Sequence, residues 1–147
     1  MADDRDRKLL LIVDDEERNC ELLAAMVESF GHDWAVARDG HEALAMLRLD
    51  VDLILLDVMM PGMSGFDVCN ILRDFPETRT TPIIFLTAVA EMPRKIMGLR
   101  LGANDYITKP FDLRELTARV EVVLRTTVGS TQEVAGSDAG PTAVVRG

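Results

Sequence analysis

Five short strand-like segments, the first, third and fourth of them nearly all apolar, alternate along the chain with segments whose apolar residues recur at helical spacing: Leu9 to Val13, Asp33 to Ala37, Leu53 to Asp57, Pro82 to Thr87 and Asp105 to Thr108. No other feature constrains the fold as strongly. Continuous Leu, Ile and Val without polar alternation suits strands buried on both faces, and strands joined through helices must run parallel. Right-handed crossovers then give an α/β fold: a doubly wound five-stranded parallel sheet in the flavodoxin-like order 2-1-3-4-5, with helices on both faces.

The helical patterns can be placed between those runs. Leu22, Leu23, Met26, Val27 and Phe30 repeat before Gly31, a natural C-terminal stop. Asp39-Gly40 leads to a second helix with Ala43, Leu44 and Leu47 on one face, and a third is expected from about Ser64 to Asp74 with Phe66, Val68, Cys69 and Leu72 as its apolar positions. A fourth spans roughly Pro93 to Leu101, ahead of Gly102. The last is expected from Asp112 to about Arg125, with Leu113, Leu116, Val120 and Leu124 inward. One domain over residues 8–125 follows, preceded by a charged extension over 1–7. From Thr126 to Gly147 the chain turns to Gly, Ser, Thr, Ala and Asp with no aromatic, Leu or Ile, which predicts a flexible tail or linker.

Sixteen Lys and Arg against 25 Asp and Glu give a net charge of −9. Such a chain is a poor polyanion binder, so neither nucleic acid nor a membrane surface is an expected partner. The N-terminus is charged where a signal peptide needs an apolar stretch, and no apolar run is long enough to cross a bilayer. A cytoplasmic location is expected. Cys20 and Cys69 form no CxxC pair, which favours buried thiols over a disulfide or a zinc site.

Function is suggested by what ends each strand. Asp14 and Asp15 follow the first, Asp57 the third, Thr87 the fourth and Lys109 the fifth. Taken singly these are ordinary residues: Asp57 could cap a helix, Thr87 could be a strand-end hydroxyl and Lys109 a solvated lysine before a proline. In a parallel sheet, however, ligands gather at the carboxyl ends of the strands, and neighbouring strands would bring all of them to one crevice. Three crowded carboxylates are most readily neutralised by a divalent cation, and hard oxygen ligands suit magnesium, or manganese in its place. Such a cation leaves room for a phosphoryl group, with Asp57 as the nucleophile that becomes an acyl phosphate, Lys109 offsetting charge and Thr87 donating a hydrogen bond.

The acidic pair Asp14-Asp15, the run Leu56-Asp57-Val58-Met59-Met60-Pro61-Gly62-Met63-Ser64-Gly65, Thr87-Ala88, and the run from Gly102 to Phe111 together resemble the receiver domain of bacterial two-component response regulators. The resemblance covers Lys8 to Arg125, and these motifs, weak one by one, are specific when all stand in the right order. It implies that Asp57 accepts a phosphoryl group from the phosphohistidine of a sensor histidine kinase or phosphotransfer protein. It further implies that Asp15, Asp57 and the backbone carbonyl of Met59 hold the metal directly, and that Asp14 acts through a metal-bound water. Thr87 and Tyr106 resemble the family's switch pair. The Lys109-Pro110 bond is expected to be cis, and the protein is expected to be a signalling phosphoacceptor rather than an enzyme.

Two rival readings lack residues. An aspartyl-phosphate hydrolase of the haloacid-dehalogenase type places a second Asp two residues after the nucleophile, where this chain has Met59. A flavodoxin-like nucleotide module wants Ser, Thr or Gly after the first strand, and the acids here repel phosphate unless a cation intervenes. A receiver-like interaction domain acting without phosphorylation remains as the alternative. By the same resemblance, a homodimer could form through the fourth helix, fifth strand and fifth helix, pairing Lys95 with Glu115, Asp105 with Arg119 and Arg100 with Glu121 across subunits. The competing explanation is local, since Glu115 with Arg119 and Glu121 with Arg125 are also i,i+4 neighbours on one helix.

Overall fold

The computed structural model describes residues 7–46, 50–88 and 104–134. Its elements in chain order are β1 (Leu9–Val13), α1 (Glu17–Ser29), β2 (Asp33–Ala37), α2 (Gly40–Ala45), β3 (Leu53–Asp57), α3 (Gly65–Asp74), β4 (Ile83–Ala88), β5 (Asp105–Lys109) and a C-terminal helix (Leu113–Val134). The helix predicted over Pro93 to Leu101 lies outside the described residues, as do Leu47, Lys95 and Arg100.

All five strands are parallel and lie in the order β2-β1-β3-β4-β5. The period-2 geometry of a strand sends alternate side chains to opposite faces, and both faces are apolar. Leu10, Ile12, Leu53, Leu55, Ile84, Leu86 and Ile107 pack with α1 and the C-terminal helix. Leu11, Val13, Ile54, Leu56, Ile83, Phe85 and Tyr106 pack with α2 and α3. The unalternating runs in the sequence thus reflect a sheet covered on both sides.

Helix ends follow local chemistry. Gly31, at φ +83, takes the left-handed position that closes α1, and the His32 N–H reaches back to the Val27 carbonyl. Ser64 starts α3 with a capping box: its hydroxyl accepts from the Asp67 N–H while the Asp67 carboxylate accepts from the Ser64 N–H. Asp39 likewise caps α2 through the Glu42 N–H.

Two expectations need correction. The C-terminal helix does not end near Arg125 but continues to Val134. Nucleation is the costly step in helix formation, and a helix already packed on the sheet can extend into a sequence that would not start one. Leu113 is exposed rather than inward, at the rim of a cleft it shares with Met26 and Phe30. Leu22 also faces solvent, whereas Leu23, Met26 and Val27 are buried. Both thiols, Cys20 and Cys69, are buried and neither forms a disulfide. Among the described residues no helix is long and apolar enough to cross a membrane.

Candidate functional site

At the carboxyl ends of β1 and β3, neighbours in the sheet, three acids meet. One carboxylate oxygen each from Asp14, Asp15 and Asp57 lie within 4.8 Å of one another, an arrangement able to hold a metal ion. Asp14 is fully buried and Asp57 nearly so, while Asp15 is partly exposed. Buried carboxylates are costly unless paired, and a cation from the far side of the sheet meets them. Lys109, the last residue of β5, places Nζ 3.0 Å from Asp57 Oδ1 and 3.4 Å from Asp14 Oδ2. The Lys109-Pro110 bond is cis, as expected.

One lysine does not neutralise the pocket. Burial first, then the charge of Asp14, raises the Asp57 carboxyl to a pKa of about 7, against the pull of Lys109 and of the Met59 N–H, which donates to Oδ1 at 3.3 Å. For Lys109, burial alone would lower the pKa, but Asp57 and Asp14 outweigh it and the net shift is upward. Near neutral pH the pocket therefore has room for one more positive charge, whether a proton or a metal ion. Its residues fit a hard divalent cation: all three donors are carboxylates, with the backbone of Met59 beside them.

Asp14 is clamped more closely than the sequence suggested. Its Oδ1 accepts from the Glu16 N–H at 2.9 Å, and its Oδ2 accepts from the Asn19 amide at 3.3 Å. Its backbone N–H donates to the Ala37 carbonyl, which ties the acid to the end of β2. Beneath it, burial and the Asp14 charge push the Cys20 thiol up to about 11, so it stays protonated and donates to the Asp14 carbonyl at 3.3 Å. Asn19 was missed because a polar residue on a helix reads as solvated. The signal lay in its position, one turn into α1 and five residues after the buried acid.

Thr87 is buried in β4, next to last in its strand, with its hydroxyl donating to the Ala88 carbonyl at 3.3 Å. Tyr106 is buried on the α2/α3 face, stacked on Phe85 with ring centroids 5.4 Å apart, and Phe85 in turn meets Phe66 edge-on. The Met59 side chain is exposed, which leaves its backbone as the part directed to the site. On the surface beyond, Arg119 of the C-terminal helix joins Asp105 at 2.9 Å and Glu115 at 3.3 Å within the same chain. Glu121 lies 3.7 Å from His32 Nε2.

Comparison with known proteins agrees with this geometry. A sequence profile of the response regulator receiver domain matches residues 10–121. The transcriptional regulatory protein CpxR of Shigella flexneri is 42% identical over 133 residues, which is 90% of this chain and 56% of CpxR. The response regulator PleD of Caulobacter vibrioides is 47% identical over 117 residues, 79% of this chain and 26% of PleD. The chain thus spans about half the length of CpxR and about a quarter of PleD. Among solved structures, a response regulator from Chloroflexus aurantiacus matches with a TM-score of 0.77 at 38% identity, covering 81% of this chain and 98% of that one. The receiver domain of a Pseudomonas aeruginosa sensor histidine kinase, with magnesium coordinated in its active-site cleft, matches at 0.73 and 30% identity, covering 80% and 98%. With the profile spanning most of the chain and the same fold in these relatives, the chain belongs to the response regulator receiver domain family, the phosphoacceptor signalling module of two-component systems.

Proposed function

We propose that Asp57 is the phosphoacceptor and that a sensor histidine kinase or phosphotransfer protein is the donor. The observation that carries this is the convergence of Asp14, Asp15 and Asp57 with the Lys109 ammonium 3.0 Å from Asp57 Oδ1. An Asp57 oxygen attacks phosphorus, the donor's P–N bond breaks, and the departing imidazole takes up a proton. Lys109 offsets the negative charge that builds on the transferring group. Asp15, Asp57 and the Met59 carbonyl would hold magnesium or manganese directly, with Asp14 behind a water. The ion supplies charge neutralisation for the incoming phosphoryl oxygens. The magnesium seen in the Pseudomonas aeruginosa receiver domain supports this choice of cation.

Thr87 and Tyr106 form the switch pair in this reading. The Thr87 hydroxyl exchanges the Ala88 carbonyl for a phosphoryl oxygen. The protein acts as a signalling phosphoacceptor in the cytoplasm, not as an enzyme with a released product, and residues 8–125 form the functional unit. Incubation with magnesium and a small acyl-phosphate donor, followed by intact mass, tests the assignment. One phosphoryl adduct is expected in the wild type and none in Asp57→Ala; an adduct that persists in the variant sinks the phosphoacceptor assignment.

Association through the β5 and C-terminal helix surface is the weaker part of the reading. Asp105 and Arg119, expected to pair across subunits, already pair within one chain, and the local Glu115 to Arg119 contact is present as well. A dimer would exchange these contacts for equivalent ones, and exposed pairs are worth only about 0.2 to 1 kcal/mol each. Weak, salt-sensitive association of the activated form is the expected result. Sedimentation with and without a phosphoryl mimic at Asp57 checks it: an activated form that stays monomeric at high concentration, or an Arg119→Asp variant that dimerises equally, rules the interface out.

A further inference from the structure

We infer that Asn19 is a positioning residue for the acidic pocket, fixing the carboxylate of Asp14 through one amide N–H while restraining Glu16 with the other. The inference rests on the cation reading given above. Asn19 Nδ2 lies 3.3 Å from Asp14 Oδ2 and 2.7 Å from Glu16 Oε1. An amide nitrogen carries two hydrogens, and here both are directed at carboxylates. Of the residues of this size, an acid cannot donate at all and a leucine can do neither job.

The consequence for Asp14 follows from its burial. A carboxylate with no solvent exposure cannot reorient by trading protein partners for water, so its orientation is set by the groups around it. Those groups are the Glu16 N–H on Oδ1, and Asn19 with Lys109 on Oδ2. Lys109 is shared with Asp57 and lies nearer to it, so a phosphoryl group arriving at Asp57 would compete for its ammonium. Neither the Glu16 N–H nor Asn19 bonds to Asp57, so a phosphoryl group arriving there does not compete for them. Asn19 is thus the side chain that keeps Asp14 Oδ2 in place when Lys109 is drawn away. Its second contact matters too, because Glu16 stands at the start of α1 beside the pocket, and holding its carboxylate on the helix side keeps a further negative charge from entering the cluster.

Groups that orient metal-binding carboxylates without touching the ion typically change metal affinity by about 10- to 100-fold when removed. Asn19→Leu keeps the branched outline of the side chain and favours the helix more than Asn does, while deleting both donors. Because Asp14 stands behind a water, Asn19 lies one contact further from the ion, and magnesium binding to the full chain, followed by titration calorimetry, is expected to weaken by an amount at the lower end of that range, about tenfold, in this variant. Asn19→Gln, which keeps the amide on a longer arm, is expected to recover part of the loss. Phosphoryl uptake from a small acyl-phosphate donor should need correspondingly more magnesium to reach half-maximal rate. At saturating magnesium the rate should match the wild type, because Asp57 and Lys109 are untouched, and a general loss of structure would not give that separation. Equal magnesium affinities in the wild type and Asn19→Leu would overturn the Asn19 assignment alone. So would a slower rate at saturating magnesium with an unchanged binding constant. A wild type that binds no divalent cation would remove the cation reading and this assignment together.

Discussion

Asp57→Asn is expected to make the metal-free protein more stable than the wild type at neutral and alkaline pH, while eliminating phosphoryl uptake. The Asp57 carboxyl has a pKa of about 7 in the folded chain against an ordinary value of 3.8, raised first by burial and then by Asp14. Below the ordinary value both folded and unfolded chains hold the proton, and the folded state suffers no penalty. Between the two values the folded chain binds the proton and the unfolded chain does not, so stability falls as pH rises. Above about 7 the loss levels off at an upper limit of about 4 kcal/mol, from roughly 1.4 kcal/mol per pH unit over some three units. An amide has no such titration. Denaturant unfolding in chelator from acidic to mildly alkaline pH should therefore show a decline in the wild type that Asp57→Asn lacks. Magnesium should remove the decline by taking the proton's place. Parallel pH profiles for the two proteins would show that Asp57 is ionised without cost, and that Lys109 alone balances the pocket.

Gly65→Ala is expected to cost about 3 kcal/mol of stability, the upper part of the range for overpacking, and to abolish phosphoryl uptake even at saturating magnesium. The reason is backbone against backbone. A Cβ on Gly65 would overlap the Asp57 carbonyl oxygen and come within 2.9 Å of Val58 Cα. The Gly65 N–H already donates to the Val58 carbonyl at 2.9 Å, so the first turn of α3 is drawn tightly onto the end of β3. A flexible side chain could yield to a methyl group, but here either α3 lifts away or the end of β3 moves, and each displaces Asp57. Thermal unfolding with intact-mass measurement of the folded fraction checks both effects. Wild-type stability with normal uptake would mean that the helix start can shift without disturbing the nucleophile.

Strands buried on both faces declare themselves in a sequence because nothing polar interrupts them, and β1 and β3 lie where their apolar runs and bounding residues place them. The site was legible for a related reason: a carboxylate directly after an apolar run has one place to go, the end of a strand. Residues whose role depends on a partner distant in sequence were harder to read. Leu113 satisfies the helical period yet is exposed, because whether an apolar position in a first turn is covered depends on what α1 sets beside it. Asn19 carries no apolar pattern at all, and only the burial of Asp14 gives its amide a task. The length of the last helix was misread because composition reports the tendency to start a helix more faithfully than the ease of continuing one.

β5 is held by charge at both of its ends. Asp105 at its start is gripped by Arg119 of the C-terminal helix, and Lys109 at its end reaches across to Asp57 and Asp14. The strand that joins them is five residues long, about 13 Å from the first Cα to the last at the usual rise of about 3.3 Å per residue. The strand behaves as a short rod with one tip in a buried acidic pocket and the other at the protein surface. Lys109 at the inner tip is the residue of the strand in contact with Asp57, and Tyr106, second in the strand and stacked on Phe85, ties it to the α2/α3 side of the sheet. The same five residues thus join a buried carboxylate cluster to an ion pair at the protein surface.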